Sequence, residues 1–387
     1  MTRFEHALSH LERYEQAHLL DKYLELGESD RQKLLEQVES LDLALMRELY
    51  TQSQVEVSIN RIVSPIIPHK KSALGSEICA LGSEIFARGQ VALVTLAGGN
   101  GTRLGHASPK GTFKLPLATP KSLFEIIAEQ LKSVSSSITW CIMTNEDNHD
   151  ETMGFFRESD YFGYDRDNIE FFVQSQLPVL ESDGKIRMKK SSIEYAPSGN
   201  GAVFETLEHS GMLSRLEKKG VKWLIFSGID NVLANIADPW FVGLADSLGS
   251  QACAKSVAKI SPDERAGVFA LLDNRPGVVE YFELTDELRR SRNADGEYLY
   301  SQIHILCNLF SLDFVRAIAH SAGLNYHFNT ASGVIKCERF IFDAFANAEI
   351  FALLEVERES EFAPLKNASG PDSIETATLA YENKFGH

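Results

Sequence analysis

From Val91 onward the sequence alternates between short, unbroken apolar runs and longer amphipathic stretches, and this pattern restricts the fold more than any other feature. Val91–Leu96, Ile138–Thr144, Ile169–Gln174 and Trp223–Ser227 read as strands covered on both faces, since a half-exposed strand would alternate apolar and polar residues. Between them, Ser122–Val134, the segment around Phe155 and Phe156, and Ala202–Lys218 read as helices. Asp238–Leu248 reads as another, with Asp238 placed to cap it and Pro239 in its first turn. Strands and helices in this order predict an α/β fold, a Rossmann-like, mostly parallel sheet with helices on both faces. After residue 251 strands become more frequent (Ala252–Ala258, Gly267–Leu272, Val278–Phe282, Ile303–Phe310), which predicts a β-rich addition. Glu338–Ala346 and Ile350–Val356 read as a last helix and strand, and the tail after Gly370 as short and polar.

Residues 3–50 read differently. Leu8, Leu11, Leu19, Leu20, Tyr23 and Leu24 recur at roughly helical spacing among charges, and Ser29 with Gln32 has the spacing of a capping box. No chemistry-bearing pattern stands out there, so the segment is expected to be a packing module. Residues 51–88 read as a mixed connection marked by Pro65 and Pro68. The expected division is therefore a helical module and connection over 1–88, a catalytic-type α/β domain with its β-rich insertion over 89–345, and a short C-terminal segment over 346–387.

Bulk properties narrow the function. The 387 residues carry a formal net charge of −16, which argues against a general nucleic-acid or anionic-membrane surface, both of which need clustered Lys and Arg. No apolar run approaches the ~20 residues that span a bilayer. Five cysteines show neither a CxxC pair nor metal-ligand spacing, so they are expected to be free thiols in a reducing, cytoplasmic setting.

The chemistry concentrates where the first strand ends. Leu96 and Ala97 lead into Gly98, Gly99, Asn100 and Gly101, with Arg103 and Lys110 close behind. Ligands of open parallel sheets bind beyond the C-terminal strand ends, and glycines let backbone approach them closely. The spacing is neither a Walker A motif nor the dinucleotide fingerprint: Pro109-Lys110-Gly111 lacks the GK[ST] order, and the glycine after Leu104 comes one residue late. A glycine turn with two nearby cations still points to phosphate binding. Asp230 ends the apolar strand Trp223–Ser227 and its turn, a position suited to a hard oxygen ligand.

These motifs resemble the nucleotide-sugar pyrophosphorylases. Leu-Ala-Gly-Gly-Asn-Gly-Thr-Arg-Leu-Gly with downstream Pro-Lys-Gly is similar to their signature, in particular that of the eukaryotic-type UDP-N-acetylhexosamine pyrophosphorylases and their UDP-glucose relatives. Segments 171–178, 196–201, 229–239, 277–281, 335–343 and 362–368 resemble further family motifs in the same order. The resemblance implies a GT-A-like nucleotide-sugar transferase sheet that moves UMP from UTP to a sugar 1-phosphate, with Mg²⁺, giving a UDP-sugar and pyrophosphate. It implies phosphate contacts for Arg103, Lys110 and Lys336, the last of which precedes the helix read over Glu338–Ala346. Leu96, Ala97, Gly98, Gly99, Gly101, Gln174, Gly199 and Asn200 are implied to hold the nucleotide. Asn200, Gly267, Glu280, Tyr281 and His304 are implied to line the sugar side, and Asp230 to carry the metal. Lys366 either faces the phosphates or ties its segment down.

Three departures stand out. His304 occupies the place of a family asparagine, Gly201-Ala202 replaces a double glycine, and the region after the Pro-Leu-Lys-Asn motif is shortened. N-acetylglucosamine 1-phosphate is the first choice of substrate. A UDP-glucose or broad UDP-sugar enzyme stays open, as does a UDP-sugar-binding regulatory protein without turnover; keeping Arg103, Lys110, Asp230 and Lys336 together speaks against the last.

Overall fold

In a computed structural model, residues 2–55, 63–321, 323–330 and 333–386 are described; Ser332, shortly before Lys336, and part of the expected 51–88 connection lie outside them. The described residues group into two compact units that do not follow the chain in order.

The smaller unit takes in the N-terminal residues together with Ser175–Ala202 and Leu324–Ile341. Its helices are α1 (Arg3–Arg13), α2 (Glu28–Glu39) and α3 (Leu43–Ser53). Thr2 and Glu5 form a capping box on α1. The box expected at Ser29 and Gln32 is not formed: Gly27 is the N-cap of α2, and the Gln32 amide donates to Glu36 instead. The helices are not a self-contained bundle. Leu11, Leu19, Leu34 and Leu49 share one apolar cluster with Leu180, Ile186 and Ile335 from the later segments. Leu24, counted among the apolar positions, is exposed.

The larger unit holds the main sheet. Its strands are β1 (Val91–Leu96), β2 (Thr139–Thr144), β3 (Ile169–Val173), β4 (Trp223–Gly228), β5 (Ala252–Ala258), β6 (Gln302–Ser311) and β7 (Phe351–Glu355). They lie in the order β7-β5-β6-β4-β1-β2-β3, with His69–Lys70 beyond β7. Every pairing along this row is parallel except those of β6, which runs antiparallel to both neighbours. The fold is thus the mixed α/β, mostly parallel sheet with N-terminal helices that the alternation implied. β1, β2 and β4 are buried along their whole length, which explains their uninterrupted apolar runs. A hairpin, Val268–Leu272 with Arg275–Val279, turns through Asp273 and Asn274 at positive φ and joins the sheet where Val268 faces Ile303.

Strand register brings three loops together. Leu96 lies opposite Gly228 on one side and Met143 on the other, so β1, β4 and β2 end at one edge. The loops that leave these three strands therefore begin side by side.

Helices cover the sheet, including α4 (Ser76–Ala87), α5 (Leu123–Val134), α6 (His149–Glu158), α7 (Val203–His209), α8 (Met212–Lys218) and α9 (Pro239–Ser247). Asp238 caps α9 through Trp240 N–H, as its sequence position implied. α4 and α9 cross so closely that a Cβ on Gly82 would sit 1.8 Å from the Pro239 carbonyl oxygen, and one on Gly243 1.9 Å from that of Ile78. Three expectations need correction. The helix foreseen over Ala202–Lys218 is two, broken at Gly211, which takes a left-handed conformation. Residues 338–346 do not form an α-helix: Glu338 ends the strand Val334–Glu338, and Ile341–Asn347 is 3₁₀. The polar tail contains a three-turn helix, Ile374–Phe385, whose Ala377 and Tyr381 join the main core.

Candidate active site

The loop after β1 is a folded-back glycine turn. Gly101 N–H donates to the Ser108 carbonyl and Lys110 N–H to that of Gly99, so the two halves of the loop pair and Lys110 returns to the level of Gly99. No atom lies within 4 Å of a Cβ built on Gly99, which leaves its backbone facing open space. Thr102–Leu104 forms one 3₁₀ turn, closed by Gly105 at φ +73°, and Arg103 projects from it into solvent.

Two residues absent from the expected site hold this turn. Asn145 Nδ2 donates to the Gly98 carbonyl (2.5 Å) and Asn148 Nδ2 to that of Ala97 (3.3 Å), while each side-chain oxygen accepts the other residue's backbone N–H. Both asparagines are buried just beyond the end of β2. Their sequence signal was Thr-Asn-Glu-Asp-Asn at the C-terminal end of an apolar strand, the position where the parallel-sheet rule already places ligands. Gln174 comes directly after β3 and joins the same group: a Cβ on Gly98 would lie 2.9 Å from Gln174 Oε1. The Gln174 amide thus lies against the Gly98 backbone.

Lys110 and Asp230 meet. Nζ of Lys110 is 3.3 Å from Oδ2 of Asp230, with both side chains partly covered. Asp230 stands just past the end of β4, beside β1, so a cation from one loop and a carboxylate from the next converge at the shared sheet edge. One electrostatic pair thus belongs to the glycine turn through Lys110, whose backbone N–H bonds the Gly99 carbonyl. Among the described residues no cluster of three or more His, Cys, Asp or Glu forms a ready-made cage for a metal.

Of the sugar-side candidates, Gly267, Glu280, Tyr281 and His304 belong to this unit, and Asn200 to the smaller one. His304 N–H donates to the Gly267 carbonyl (3.0 Å), and a Cβ on Gly267 would come within 3.4 Å of Glu280 Oε1. Tyr281 lies in the turn after the hairpin, its ring edge-on to Phe282. The His304 ring is bordered edge-on by Phe269, Phe342 and Phe345, and its Nε2 is 3.0 Å from Asn308 Oδ1. Burial lowers its pKa to about 4, the Asn308 contact opposing this only in part, so the imidazole is neutral at pH 7.

In the smaller unit, Gly199 has φ +82°, and a Cβ there would strike the Arg339 carbonyl oxygen at 2.3 Å. Asn200 Oδ1 accepts Ile341 N–H at 2.9 Å, and Gly201 N–H donates to the Arg339 carbonyl. The second glycine turn is thereby stapled to residues 339–341. Lys336 lies in the middle of the strand Val334–Glu338 with its side chain exposed, and the segment after it is the 3₁₀ stretch Ile341–Asn347 where an α-helix was expected. Lys366 pairs with Asp372 at 3.3 Å and ties down its own segment. Cys141, Cys253, Cys307 and Cys337 are buried and Cys79 is half-buried, all as free thiols.

A buried charge cluster behind the site has no visible signal in the sequence. Lys255 on β5 is fully buried, and its Nζ contacts Asp238 Oδ2 (2.7 Å), Glu361 Oε2 and the Asn235 carbonyl. Lys71 reaches the same two carboxylates from the more open side. Burial alone would lower the Lys255 pKa, but Asp238 and Glu361 outweigh it and the pKa is raised. Burial likewise opposes ionisation of Asp238, yet the two lysines lower its pKa.

The chain as a whole is similar to known proteins in sequence and in fold. The family model described as UTP–glucose-1-phosphate uridylyltransferase matches residues 44–382. A protein of Schizosaccharomyces pombe named probable UDP-N-acetylglucosamine pyrophosphorylase is 35% identical, the match covering 92% of this chain and 84% of that protein. The UDP-N-acetylglucosamine pyrophosphorylase of Saccharomyces cerevisiae is 33% identical over 82% of this chain and 75% of its own. The crystal structure of the uridine diphosphate N-acetylglucosamine pyrophosphorylase from Trypanosoma brucei superposes with a TM-score of 0.84 at 30% identity, covering 98% of this chain and 84% of that one. With sequence and fold in agreement over most of its length, the chain belongs to the UTP–glucose-1-phosphate uridylyltransferase family.

Proposed function

We propose that the protein is a uridylyltransferase that joins UTP and a sugar 1-phosphate, with N-acetylglucosamine 1-phosphate as the preferred sugar, to give a UDP-sugar and pyrophosphate. The observation that carries this reading is the Lys110–Asp230 pair beside the open backbone of Gly99. The similarity to proteins named UDP-N-acetylglucosamine pyrophosphorylases supports the choice of sugar. It favours this reading over a UDP-glucose enzyme and over a regulatory binder.

A phosphate oxygen of the sugar 1-phosphate attacks the α-phosphorus of UTP; that P–O bond forms as the bond to the bridging oxygen of the leaving pyrophosphate breaks. The chain's task is to align two polyanions and to neutralise charge as it moves onto the leaving group. The turn 97–101 is assigned to the nucleotide through its backbone, and Gln174, whose amide has both donor and acceptor, is assigned to uracil. Arg103 on its exposed turn and Lys110 meet the phosphates; Lys336 enters through the family resemblance. Gly199 and Asn200 are assigned to the base side. Gly267, Glu280, Tyr281 and neutral His304 are assigned to the sugar.

Asp230 is the residue that would hold Mg²⁺. The fit is good: Mg²⁺ keeps several waters and binds proteins through one or two carboxylates plus substrate phosphates, so a lone, partly exposed carboxylate at a phosphate-binding turn suits it. When bound, the ion supplies charge neutralisation on the phosphates. Before nucleotide arrives, the Lys110 ammonium lies against that carboxylate. A cytoplasmic setting is supported by the five free thiols, and no described helix is long and apolar enough to cross a membrane.

The test is pyrophosphate release from UTP and Mg²⁺ with the 1-phosphates of N-acetylglucosamine, N-acetylgalactosamine, glucose and galactose. Release fastest with N-acetylglucosamine 1-phosphate is the expected result. Release with glucose 1-phosphate but neither N-acetyl sugar would overturn the substrate choice, and no release with any sugar would overturn the enzyme reading.

A further inference from the structure

The turn that carries Asp230 is not held by its own strand alone. Residues 361–365 run alongside it as a strap. Asn231 Nδ2 donates to the Glu361 carbonyl (2.8 Å), and Asn231 Oδ1 accepts Ala363 N–H (2.9 Å). Val232 N–H donates to the Ala363 carbonyl (3.3 Å) and Leu365 N–H to the Asp230 carbonyl (2.8 Å). These four hydrogen bonds fix both the backbone of Asp230 and the side chain next to it. The strap is anchored in turn: the Glu361 carboxylate is buried against Lys255 and Lys71, and the same two lysines hold Asp238 at the far end of the 230–238 loop. The far end of the loop and the start of the strap therefore converge on one buried ammonium. Ile374–Phe385 reinforces the strap, since Lys384 Nζ donates to the Ser360 and Leu233 carbonyls.

We infer that residues 361–365, latched through Glu361 to Lys255 and clamped by Asn231, form a positioning device that fixes where Asp230 stands relative to Lys110. Asn231 and Glu361 are positioning residues, acting through the 230–232 backbone. The inference rests on the proposed role of Asp230, but its structural half is testable without substrate. A buried ion cluster is weak evidence for stability, and specifying geometry is one role such clusters are known to serve.

Hydrogen–deuterium exchange read by mass spectrometry, together with steady-state kinetics, tests it on the full chain with Asn231→Ala and Glu361→Gln. Glu361→Gln keeps the main-chain carbonyl and the side-chain shape while weakening the latch, so it serves if Asn231→Ala folds poorly. Exchange of the 230–234 amides should rise about tenfold or more in each variant while β1 and β2 keep wild-type protection. The KM for MgUTP should rise about tenfold, with the KM for sugar 1-phosphate within about twofold. Unchanged exchange over 230–234, exchange raised equally throughout the sheet, or equal changes in both KM values would each overturn the inference. If the wild type turns over no sugar, the exchange measurement still decides whether the strap holds the turn, and the failure belongs to the proposed reaction instead.

Discussion

Replacing Lys110 with alanine is expected to lower kcat/KM for pyrophosphate release by about a hundred- to a thousandfold, the usual cost of removing one preorganised group that stabilises transition-state charge. The same change should alter folding stability by less than about 1 kcal/mol, because the Lys110–Asp230 pair is partly open to solvent and such pairs contribute little. The separation between the two effects distinguishes a catalytic lysine from a structural one. Lys110→Arg should recover only part of the activity: it keeps the charge, but a planar fork replaces a compact ammonium on a flexible stem. Initial rates and urea unfolding on the same preparations check both halves. Comparable losses of activity and stability would mean that Lys110 merely braces the loop.

Replacing Lys255 with methionine is expected to have the opposite profile. It leaves Asp238 and Glu361 buried with only the more open Lys71 as partner, and removing one member of a buried ion cluster costs about 3–5 kcal/mol. Urea unfolding followed by circular dichroism measures this directly. The pH dependence has a definite sign. The Lys255 pKa is raised on folding, so its contribution is complete below the ordinary lysine value and is lost as pH climbs past it. The Asp238 pKa is lowered, so its contribution is present above the ordinary aspartate value and is lost as pH falls. In Lys255→Met the acid-side loss should shrink, because Asp238 no longer gains that partner. A variant as stable as the wild type would show that the cluster is dispensable to the fold.

How much of the fold and site is legible in the sequence depends on how far each signal reaches along the chain. β1, β2 and β4 were readable because strands buried on both faces become continuous apolar runs, and the glycine turn was readable because its special residues are contiguous. Lys110 could be paired with a phosphate site from local context, and Asp230 with a strand end. Their meeting at 3.3 Å depends on β1 and β4 being neighbours, which no local pattern states. Lys255 shows the limit most clearly. In Ala-Cys-Ala-Lys-Ser-Val-Ala it looks like a single polar interruption of a strand, and its partners lie 17 and 106 residues away. The strand around Lys336 went unread for a local reason: only Val334, Ile335 and Cys337 are buried beside an exposed lysine, and the α-helix read over 338–346 is a 3₁₀ stretch. Ile374–Phe385 was missed because its few buried residues, Ala377, Thr378 and Tyr381, give a weak amphipathic signal that only the core of the larger unit satisfies.

The central claim is that the turn after β1 and the carboxylate after β4 together receive the triphosphate of a uridine nucleotide. A crystal structure of the protein with UTP and Mg²⁺ tests it most directly. The expected result is phosphate oxygens against the backbone of residues 98–101 and Lys110 Nζ, with the metal on Asp230. Nucleotide bound elsewhere, with Lys110 and Asp230 still joined only to each other, would contradict it.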